Sequence, residues 1–435
     1  MKFLHAADIH LGCRRYNLDE RPRDFFRSWM DVINKHALNN AIDFVLIAGD
    51  FFNARKVDPQ TMNHAVVGLA VLRDAGIPVV AIEGNHDQHD SVSQFSWMRS
   101  LSQWGYLILL EPTRDAEGRY TLVPWNEEER AGSYVDVAGA RIFGSHWYGA
   151  SANAAIPLLT EAIRAARVDG LCNILMLHTD VEGQINRPIP ALSVAKLKEL
   201  QSLTDYVALG HTHKKFEIDN WAFNPGSLEA CSIDEYKEER GLYLVEIDDA
   251  RQVAARHVRD YVQRPFERIF FDVSGAPDPE AVHEGILEKV RREISSGAPQ
   301  EAGEPIIEIN LKGHLGFKNS LLDSHRLRDE VRELTGAIHV IFRNQSVPVE
   351  YAVAAGAGLD TPRGERELRI VEDLIARDNR FRDRARDMAA LVIEAKRLAL
   401  ASEEPEKILE LISHALEHAR PSALPIPDAA IEVAV

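Results

Sequence analysis

The segment FVLIAGD, residues 44–50, joins five consecutive apolar residues to a glycine and an aspartate. Similar apolar runs that end in polar loops are KFLHAADIH (residues 2–10), VVAIEGNHD (79–87), NILMLH (173–178) and YVALGH (206–211). Strands that are apolar at almost every position are buried on both faces, as in sheets covered by helices. Amphipathic stretches separate these runs, so the sequence up to about Tyr261 predicts a layered α/β core.

The composition limits the classes of partner. At 435 residues the chain is long enough for about two to four domains. Its formal net charge of −17 argues against a diffuse, whole-surface attraction to nucleic acid or anionic lipid, so any polyanion must be gripped locally. Cys13, Cys172 and Cys231 are widely spaced and form no C-x-x-C, which predicts a reducing compartment, no disulfide framework and no thiolate metal site.

The amino terminus and the apolar runs bear on localisation. The start MKFLHAADIHLG is interrupted by an aspartate and two histidines and lacks the continuous apolar region of a secretory signal. No apolar run approaches the roughly 20 residues that a membrane-spanning helix needs. These features predict a cytoplasmic protein that does not enter a membrane.

The pattern changes around QRPFERIFFDVSG, residues 263–275, where a proline and a new alternating strand signal open a smaller α/β unit. Beyond it, a stretch dense in glycine and proline precedes apolar residues at helical spacing. The predicted domains are a catalytic domain at 1–262, a small α/β domain at 263–351, a linker at 352–365, a helical segment at 366–420 and a flexible tail at 421–435.

Five loops that follow apolar runs carry the residues with chemical potential. They are ADIHLG, AGDFFN, EGNHD, MLHTD and LGHTHKK, and their polar side chains include Asp8, His10, Asp50, Asn85, His86, Asp87, His178, His211 and His213. Residues two apart in extended backbone point the same way, so Asp8 with His10 and His211 with His213 are predicted to act as pairs. His178 taken alone fits a hydrogen-bonded structural histidine, but the five loops together favour a metal site.

The number of ligands indicates how many ions they can hold. Two aspartates, one asparagine and four histidines suffice for two ions only if one carboxylate bridges them, and Asp50 is the natural bridge. Nitrogen and oxygen donors without thiolate suit Mn²⁺, Fe or Zn²⁺. Two ions roughly 4 Å apart activate a water and stabilise both oxygens of an in-line displacement. The pattern therefore favours hydrolysis of an anionic ester.

The ordered set D-x-H, G-D, G-N-H-D, a lone histidine and G-H-x-H resembles the calcineurin-like metallophosphoesterases. The stretches LHAADIHLG, GDFF, NPGS and RPFERIFFDVSG resemble more narrowly the SbcD-type DNA repair exonucleases, over roughly the first 350 residues. The resemblance implies a layered metallophosphoesterase sandwich, with a small α/β capping domain and a C-terminal helical segment.

The resemblance also implies roles for single residues. One metal would be held by Asp8, His10, Asp50 and His213, and the other by Asp50, Asn85, His178 and His211. His86 would contact the scissile phosphate and assist the leaving oxygen, with Asp87 behind it as an orienting carboxylate, and the ions would be Mn²⁺. One departure is Asn53, which stands where relatives commonly carry histidine or aspartate and which cannot transfer a proton.

Basic residues follow three of the five loops and predict a positive rim for a phosphate backbone. They are Arg14, Arg15, Arg55, Lys56, Lys214 and Lys215. The alternative is that they are ordinary charges of exposed loops. By resemblance, the terminal helices would dock on the coiled coil of an SMC-like ATPase partner. Relatives are commonly homodimers, and the amphipathic segment Phe25–Leu38 could serve an interface or pack on the sheet.

The leading hypothesis is a two-metal, Mn²⁺-dependent phosphodiesterase that hydrolyses DNA as an exonuclease in repair or end processing, together with the ATPase. Two alternatives stay open. The chain could be a calcineurin-like hydrolase of a small phosphoester or a phosphoprotein, or a catalytically weak scaffold subunit of a DNA-processing complex.

Overall fold

The computed structural model describes residues 1–89, 95–184, 190–294, 303–348, 362–376, 378, 380–401 and 403–417. These form two compact units, one comprising Met1–Glu267 with a short segment that ends at Ile306, the other Arg268–Ala298 with Ile307–Val435. Most of the predicted linker at 352–365 and all of the predicted tail at 421–435 lie outside the described residues.

The first unit alternates strands and helices along most of its length. Its elements are β1 (Lys2–Ala6), α1 (Arg21–Val32), β2 (Phe44–Ala48), α2 (Pro59–Asp74), β3 (Val79–Ile82), α3 (Trp97–Gln103), β4 (Ile108–Leu109), β5 (Thr113–Arg114), β6 (Tyr120–Thr121), β7 (Tyr134–Val137), β8 (Ala140–Phe143), α4 (Ala152–Ala166), β9 (Cys172–His178), α5 (Val194–Lys198), β10 (Tyr206–Gly210), β11 (Phe216–Ile218), β12 (Ala222–Asn224), β13 (Leu242–Ile247) and β14 (Val253–Val258). The apolar runs read from the sequence are therefore confirmed as strands.

Two six-stranded mixed sheets form the centre of this unit. The first has the order β14-β13-β1-β2-β3-β4 and the second the order β11-β12-β10-β9-β8-β7. In the first sheet β1, β2, β3 and β4 run parallel, and in the second β8, β9, β10 and β12 do so. The parallel strands place their carboxyl ends along one edge of each sheet, where loops with functional side chains converge.

Burial on both faces explains why the strands are apolar throughout. In β2, Phe44 and Leu46 belong to the core between the two sheets, whereas Val45 and Ile47 belong to the core under the helices of the first sheet. A third core lies between the second sheet and the helices α4 and α5. The unit is a layered α/β sandwich, as the sequence predicted.

Helix α1 packs on the first sheet, which is one of the two uses predicted for its amphipathic segment. Its buried residues Phe25, Trp29 and Val32 belong to the core that covers the first sheet. The amphipathic pattern of the segment Phe25–Leu38 is thus accounted for by packing on the sheet.

The second unit contains a three-stranded sheet with the order β15-β16-β18, together with helices. Its elements are β15 (Phe266–Asp272), α6 (Pro279–Ile294), β16 (Ile306–Lys312), β17 (His314–Leu315), α7 (Ser324–Thr335), β18 (His339–Asn344), β19 (Val347–Pro348), α8 (Arg363–Ala376), α9 (Ala385–Leu400) and α10 (Pro405–Glu417). The first residues of two of these strands, Phe266 and Glu267 of β15 and Ile306 of β16, belong to the first unit. Residues of β16, α6 and α7 share one apolar core. Among the helices of the described ranges, none has the length and apolar content to cross a membrane.

Candidate metal centre

The predicted ligand loops meet where the carboxyl ends of the two sheets come together. The ring Nδ1 of His178, at the end of β9, donates to the carbonyl of Ala48 at the end of β2, at 2.8 Å. The backbone N–H of His211, just after β10, donates to the Asp8 carboxylate at 2.9 Å. Hydrogen bonds between the two sheets therefore hold the site together.

One group of donors surrounds the space between two imidazoles. His10 Nε2 lies 3.0 Å from His213 Nε2. The Asp8 Oδ1 atom lies 3.9 Å from the first of these nitrogens and 3.7 Å from the second. Asp50 Oδ2 also lies 3.9 Å from His10 Nε2. Imidazole and carboxylate donors arranged around one point are the ligands that Mn²⁺, Fe and Zn²⁺ accept.

A second group of donors lies on the other side of Asp50. His178 Nε2 is 3.2 Å from Asp50 Oδ2 and 3.3 Å from Asn85 Oδ1. Ligand atoms of Asp50, His178 and His211 all lie within 4.8 Å of one another. Asp50 thus belongs to both groups and could bridge two ions, and the donor sets fit the divalent metals that this arrangement implies.

The backbone places these side chains differently from the way the spacing predicted. Strand β1 ends at Ala6 and β10 at Gly210, so the metal-site residues lie beyond the extended segments. Asp8, His10 and His211 have φ angles of 52°, 50° and 89°, in the left-handed region that non-glycine residues rarely adopt. Asp8 and His10 do meet at one place, as the spacing predicted, but tight turns and not an extended strand bring them there. His211 and His213 lie in different groups of donors, so for this pair the expectation of a shared place was wrong.

Asp50 shares this conformation, with φ of 52°, and its neighbours are glycines for a steric reason. A Cβ atom on Gly84 would lie 2.1 Å from Asp50 Oδ1, and one on Gly49 would lie 2.3 Å from the ring of His178. Glycine at these positions lets the loops approach the bridging carboxylate closely. The His86 backbone N–H then donates to Asp50 Oδ1 at 2.8 Å.

The His86 ring is half-buried beside the first group, with its centroid 5.0 Å from that of His10. Its Nδ1 donates to the backbone carbonyl of Asn53 at 2.7 Å. The side chain of Asn53 is not needed for this contact. The departure from the family at residue 53 therefore leaves the orientation of His86 intact.

Asp87 is positioned for another task than the one that the sequence suggested. Its buried carboxylate accepts hydrogen bonds from the backbone N–H groups of Phe51, Phe52 and Gly84, at 2.9, 2.8 and 3.2 Å. These bonds fix the loop that carries Asp50 against the loop that carries His86. The expected role behind the His86 ring is corrected accordingly, because the hydrogen bond of that ring goes to Asn53.

The electrostatics follow from burial and close opposite charges. Burial lowers the pKa of His178, but the Asp50 carboxylate raises it more, to about 9. Burial likewise lowers the pKa of His213, while a hydrogen bond to Glu235 and the Asp8 charge raise it to about 9. Burial raises the pKa of Asp50, yet nearby imidazoles, His178 foremost, hold it well below its usual range. A divalent cation would replace the imidazole protons as the partner of these carboxylates.

Two supporting carboxylates were missed in the sequence. Glu235 Oε1 lies 3.0 Å from His213 Nδ1, which leaves Nε2 to face the first group. Asp180 lies 3.3 Å from His211 Nε2 and accepts a hydrogen bond from Thr212 Oγ1 at 3.0 Å. Asp180 could have been suspected from its place two residues after His178, but nothing in the sequence connects Glu235 to a histidine 22 residues away.

The predicted basic rim is only partly available to an anion. Arg14 pairs with the exposed Asp19 at 2.9 Å, and Lys215 pairs with Glu217 at 3.1 Å. Arg55 donates to the side-chain oxygen of Gln88. Of the other three basic residues, Arg15 and Lys56 are exposed and Lys214 is half-buried.

Comparison with known proteins agrees with this geometry. Residues 1–215 match the model of the calcineurin-like phosphoesterase family. The DNA double-strand break repair protein Mre11 of Archaeoglobus fulgidus is 30% identical over 310 residues, which cover 65% of this chain and 67% of the relative. That of Aeropyrum pernix is 26% identical over 367 residues, covering 82% and 81%. The chain belongs to the calcineurin-like phosphoesterases, and within them to the SbcD and Mre11 family of metal-dependent nucleases.

Proposed function

We propose that this chain is a two-metal phosphodiesterase that hydrolyses DNA, working as an exonuclease in DNA repair or end processing. The observation that carries the proposal is the position of Asp50. Its Oδ2 lies 3.9 Å from His10 Nε2 and 3.2 Å from His178 Nε2, so one carboxylate reaches both groups of donors. A bridging carboxylate is what a pair of ions needs to stay at a fixed separation.

The ligand sets of the proposal follow the two groups. The first ion would be held by Asp8, His10, Asp50 and His213, and the second by Asp50, Asn85, His178 and His211. When bound, the ions would activate a water and stabilise charge on the phosphoryl oxygens. Mn²⁺ is the ion we propose, because carboxylate, amide and imidazole donors together suit it.

His86 is the proposed catalytic residue of the protein itself. Its Nδ1 proton is donated to the Asn53 carbonyl, so Nε2 is the ring atom left for a substrate oxygen. A protonated Nε2 would donate its proton to the leaving oxygen of the phosphodiester. Asp87 would be a positioning residue that holds the His86 loop against the Asp50 loop.

DNA is preferred over a small phosphoester for two reasons. The relatives from Archaeoglobus and Aeropyrum are named as DNA double-strand break repair proteins, and their matches cover two thirds or more of those proteins. Exposed basic residues, Arg15 and Lys56 among them, follow the metal loops in a chain of net charge −17. Such local positive charge is what contact with a phosphate backbone requires.

The decisive experiment compares substrates and variants. Duplex DNA labelled at either end should lose its label with Mn²⁺, and little hydrolysis is expected of a phosphomonoester or a cyclic nucleotide. The His86→Ala variant should retain both ions and lose cleavage, whereas the exposed His89→Ala control should keep both. Activity confined to the small substrates would favour the small-phosphoester alternative, and cleavage by His86→Ala at the normal rate would reject the catalytic assignment.

The C-terminal helices are the proposed docking site for an SMC-like ATPase. Helices α8 and α10 expose large apolar side chains, Leu374 at 54% and Leu409 at 64%. Truncation after Thr361 should abolish binding of the ATPase and preserve basal hydrolysis; retained binding would assign these helices another task. Homodimer formation, expected from the family, is tested by light scattering of the full chain. The cytoplasm is the proposed compartment, because all three cysteines are free.

A further inference from the structure

A cysteine lies against the first group of donors. The sulfur of Cys231 and one ring nitrogen from each of His10 and His213 all lie within 4.8 Å of one another. The two imidazoles themselves approach to 3.0 Å between their Nε2 atoms. The sequence predicted no thiolate metal site, because the three cysteines are widely spaced and form no C-x-x-C.

The chain holds this cysteine in place through a carboxylate that also holds one of the histidines. The backbone N–H of Cys231 donates to Glu235 Oε2 at 2.9 Å. The other oxygen of the same carboxylate lies 3.0 Å from His213 Nδ1. The loop is fastened further by the backbone N–H of Ile233, which contacts the hydroxyl of Tyr16 at 2.7 Å. Glu235 thus sets the positions of His213 and Cys231 together.

We propose that His10, His213 and Cys231 form a site for a thiophilic divalent ion such as Zn²⁺ or Co²⁺, with Cys231 as a ligand that Mn²⁺ does not use. On binding, the Cys231 thiol releases its proton to solvent, and its sulfur forms the bond to the ion. Thiolate and imidazole are ligands that Zn²⁺ binds strongly, whereas Mn²⁺ prefers oxygen donors. With Mn²⁺ the nearby carboxylates would complete the ligand set in place of the sulfur.

The distances require only a small adjustment. With bonds of about 2.1 Å to nitrogen and 2.3 Å to sulfur, the ligand atoms of a tetrahedral zinc lie about 3.5 Å apart. The observed limit of 4.8 Å is larger by about one ångström, which a side-chain rotation can close. Cys231 is half-buried, and its thiol contacts that of the buried Cys13, so the rotation exchanges this contact for a bond to the ion.

The consequence is a metal centre whose ligands depend on the ion. A thiophilic ion would occupy the first position with three strong ligands and compete there with Mn²⁺. This inference uses two imidazoles that the proposed function assigns to its first ion, but it concerns binding alone. Its test therefore does not depend on hydrolysis of DNA.

Titration of the metal-free protein with Co²⁺ under reducing conditions gives a direct spectroscopic test. We expect a sulfur-to-cobalt charge-transfer band in the near ultraviolet for the unchanged protein and for Cys172→Ser, a control in strand β9. The band should disappear in Cys231→Ser. Absence of the band from the unchanged protein, or its survival in Cys231→Ser, would overturn the proposal.

Metal affinities provide the matched comparison. In Cys231→Ser the affinity for Zn²⁺ should fall at least about tenfold, as expected for loss of a direct ligand, while the affinity for Mn²⁺ stays unchanged. Retained Mn²⁺ binding also shows that the variant folds, and an equal loss for both ions would contradict the inference. Zinc X-ray absorption of the unchanged protein should show a sulfur scatterer at about 2.3 Å. A shell of nitrogen and oxygen alone would refute it without any variant.

Discussion

Two clusters of buried charged side chains in the first unit differ in the partners that their charges have. The arginine cluster consists of Arg21, Asp24, Glu229 and Arg264. Arg21 donates to Asp24 at 2.8 Å, and Arg264 binds the same carboxylate through two nitrogens, at 2.5 and 2.7 Å. The backbone N–H of Arg264 donates to Glu229 at 2.9 Å. Two cations balance two anions here, and the Arg21 guanidinium also donates to the backbone carbonyl of Ala230.

The metal centre is built in the opposite way. Two ring nitrogens that can both act as ligands face each other at 3.0 Å. In the part of the chain that the structure describes, the nearby Asp8 and Asp50 carboxylates form no ion pair with an arginine or a lysine. Asp8, His10 and Asp50 also adopt left-handed backbone, whereas Arg21 and Asp24 lie on the regular helix α1. The arginine cluster holds the fold together, whereas the donors of the metal centre converge on a space where a divalent cation can replace the imidazole protons.

The largest predicted effect concerns the bridge of the metal centre. The Asp50→Asn variant should lose at least one of the two ions and more than about 100-fold in hydrolysis, beyond what removal of a supporting residue costs. Metal content by mass spectrometry and the rate on labelled DNA measure this. Asp74→Asn, an exposed aspartate at the end of α2, should leave both unchanged. Retention of two ions in Asp50→Asn would refute the bridge.

Breaking the arginine cluster should act on stability and leave metal binding alone. Arg21→Met removes a fully buried cation and leaves the two carboxylates of Asp24 and Glu229 with the single charge of Arg264, which should lower the free energy of unfolding by about 3–5 kcal/mol. Arg27→Met, on the exposed face of the same helix, should change it by less than about 0.5 kcal/mol. Denaturant unfolding measures both. Equal stabilities would remove the distinction between the two clusters, as would a loss of Mn²⁺ affinity in folded Arg21→Met.

A third buried group, His5, gives a smaller effect that depends on pH. It lies in the core between the sheets, with ring nitrogens 2.9 Å from the Tyr206 hydroxyl and 3.0 Å from the Leu209 carbonyl. Burial lowers its pKa from 6.5 to about 3, although the Leu209 carbonyl opposes the shift. Below pH 6.5 the unfolded chain therefore binds a proton that the folded chain does not.

His5 should accordingly cost stability as the pH falls from 6.5 towards 3, by up to about 1.4 kcal/mol per pH unit. Other groups also titrate in this range, so the test is the difference in slope between the unchanged protein and His5→Gln, from urea unfolding at several pH values. The fall in the free energy of unfolding with decreasing pH should be shallower in His5→Gln and unaltered in the exposed His89→Gln. Parallel slopes for all three proteins would show that His5 is not the group responsible.

The smallest effect is expected at Asn53. Because His86 Nδ1 donates its hydrogen bond to the backbone carbonyl of this residue, Asn53→Ala should change the rate of hydrolysis by less than about twofold, equivalent to about 0.4 kcal/mol. The rate and its pH dependence on labelled DNA measure this. A large loss would mean that the Asn53 side chain itself takes part, and the metal centre would then extend to this loop.

The contrast also explains what the sequence could predict. The strands and the ligand loops were predictable, because each strand is a run of apolar residues and each ligand is an aspartate, asparagine or histidine that follows such a run. The left-handed turns at Asp8 and His10 were not, because aspartate and histidine adopt that conformation more often than most residues but still only rarely. Glu235 was missed because only the fold brings it to His213. The partner of His86 could not be found at all, since a backbone carbonyl has no sequence signature.

The hydrogen bond from His86 to the Asn53 carbonyl has a consequence for how the site can evolve. A carbonyl oxygen only accepts, so the proton must reside on Nδ1 whichever residue occupies position 53. The tautomer of His86 is thus set by the position of the backbone and not by the side chain of residue 53. Side-chain replacements at position 53 leave it in place, and this position is free to vary without disturbing the proton chemistry of the histidine.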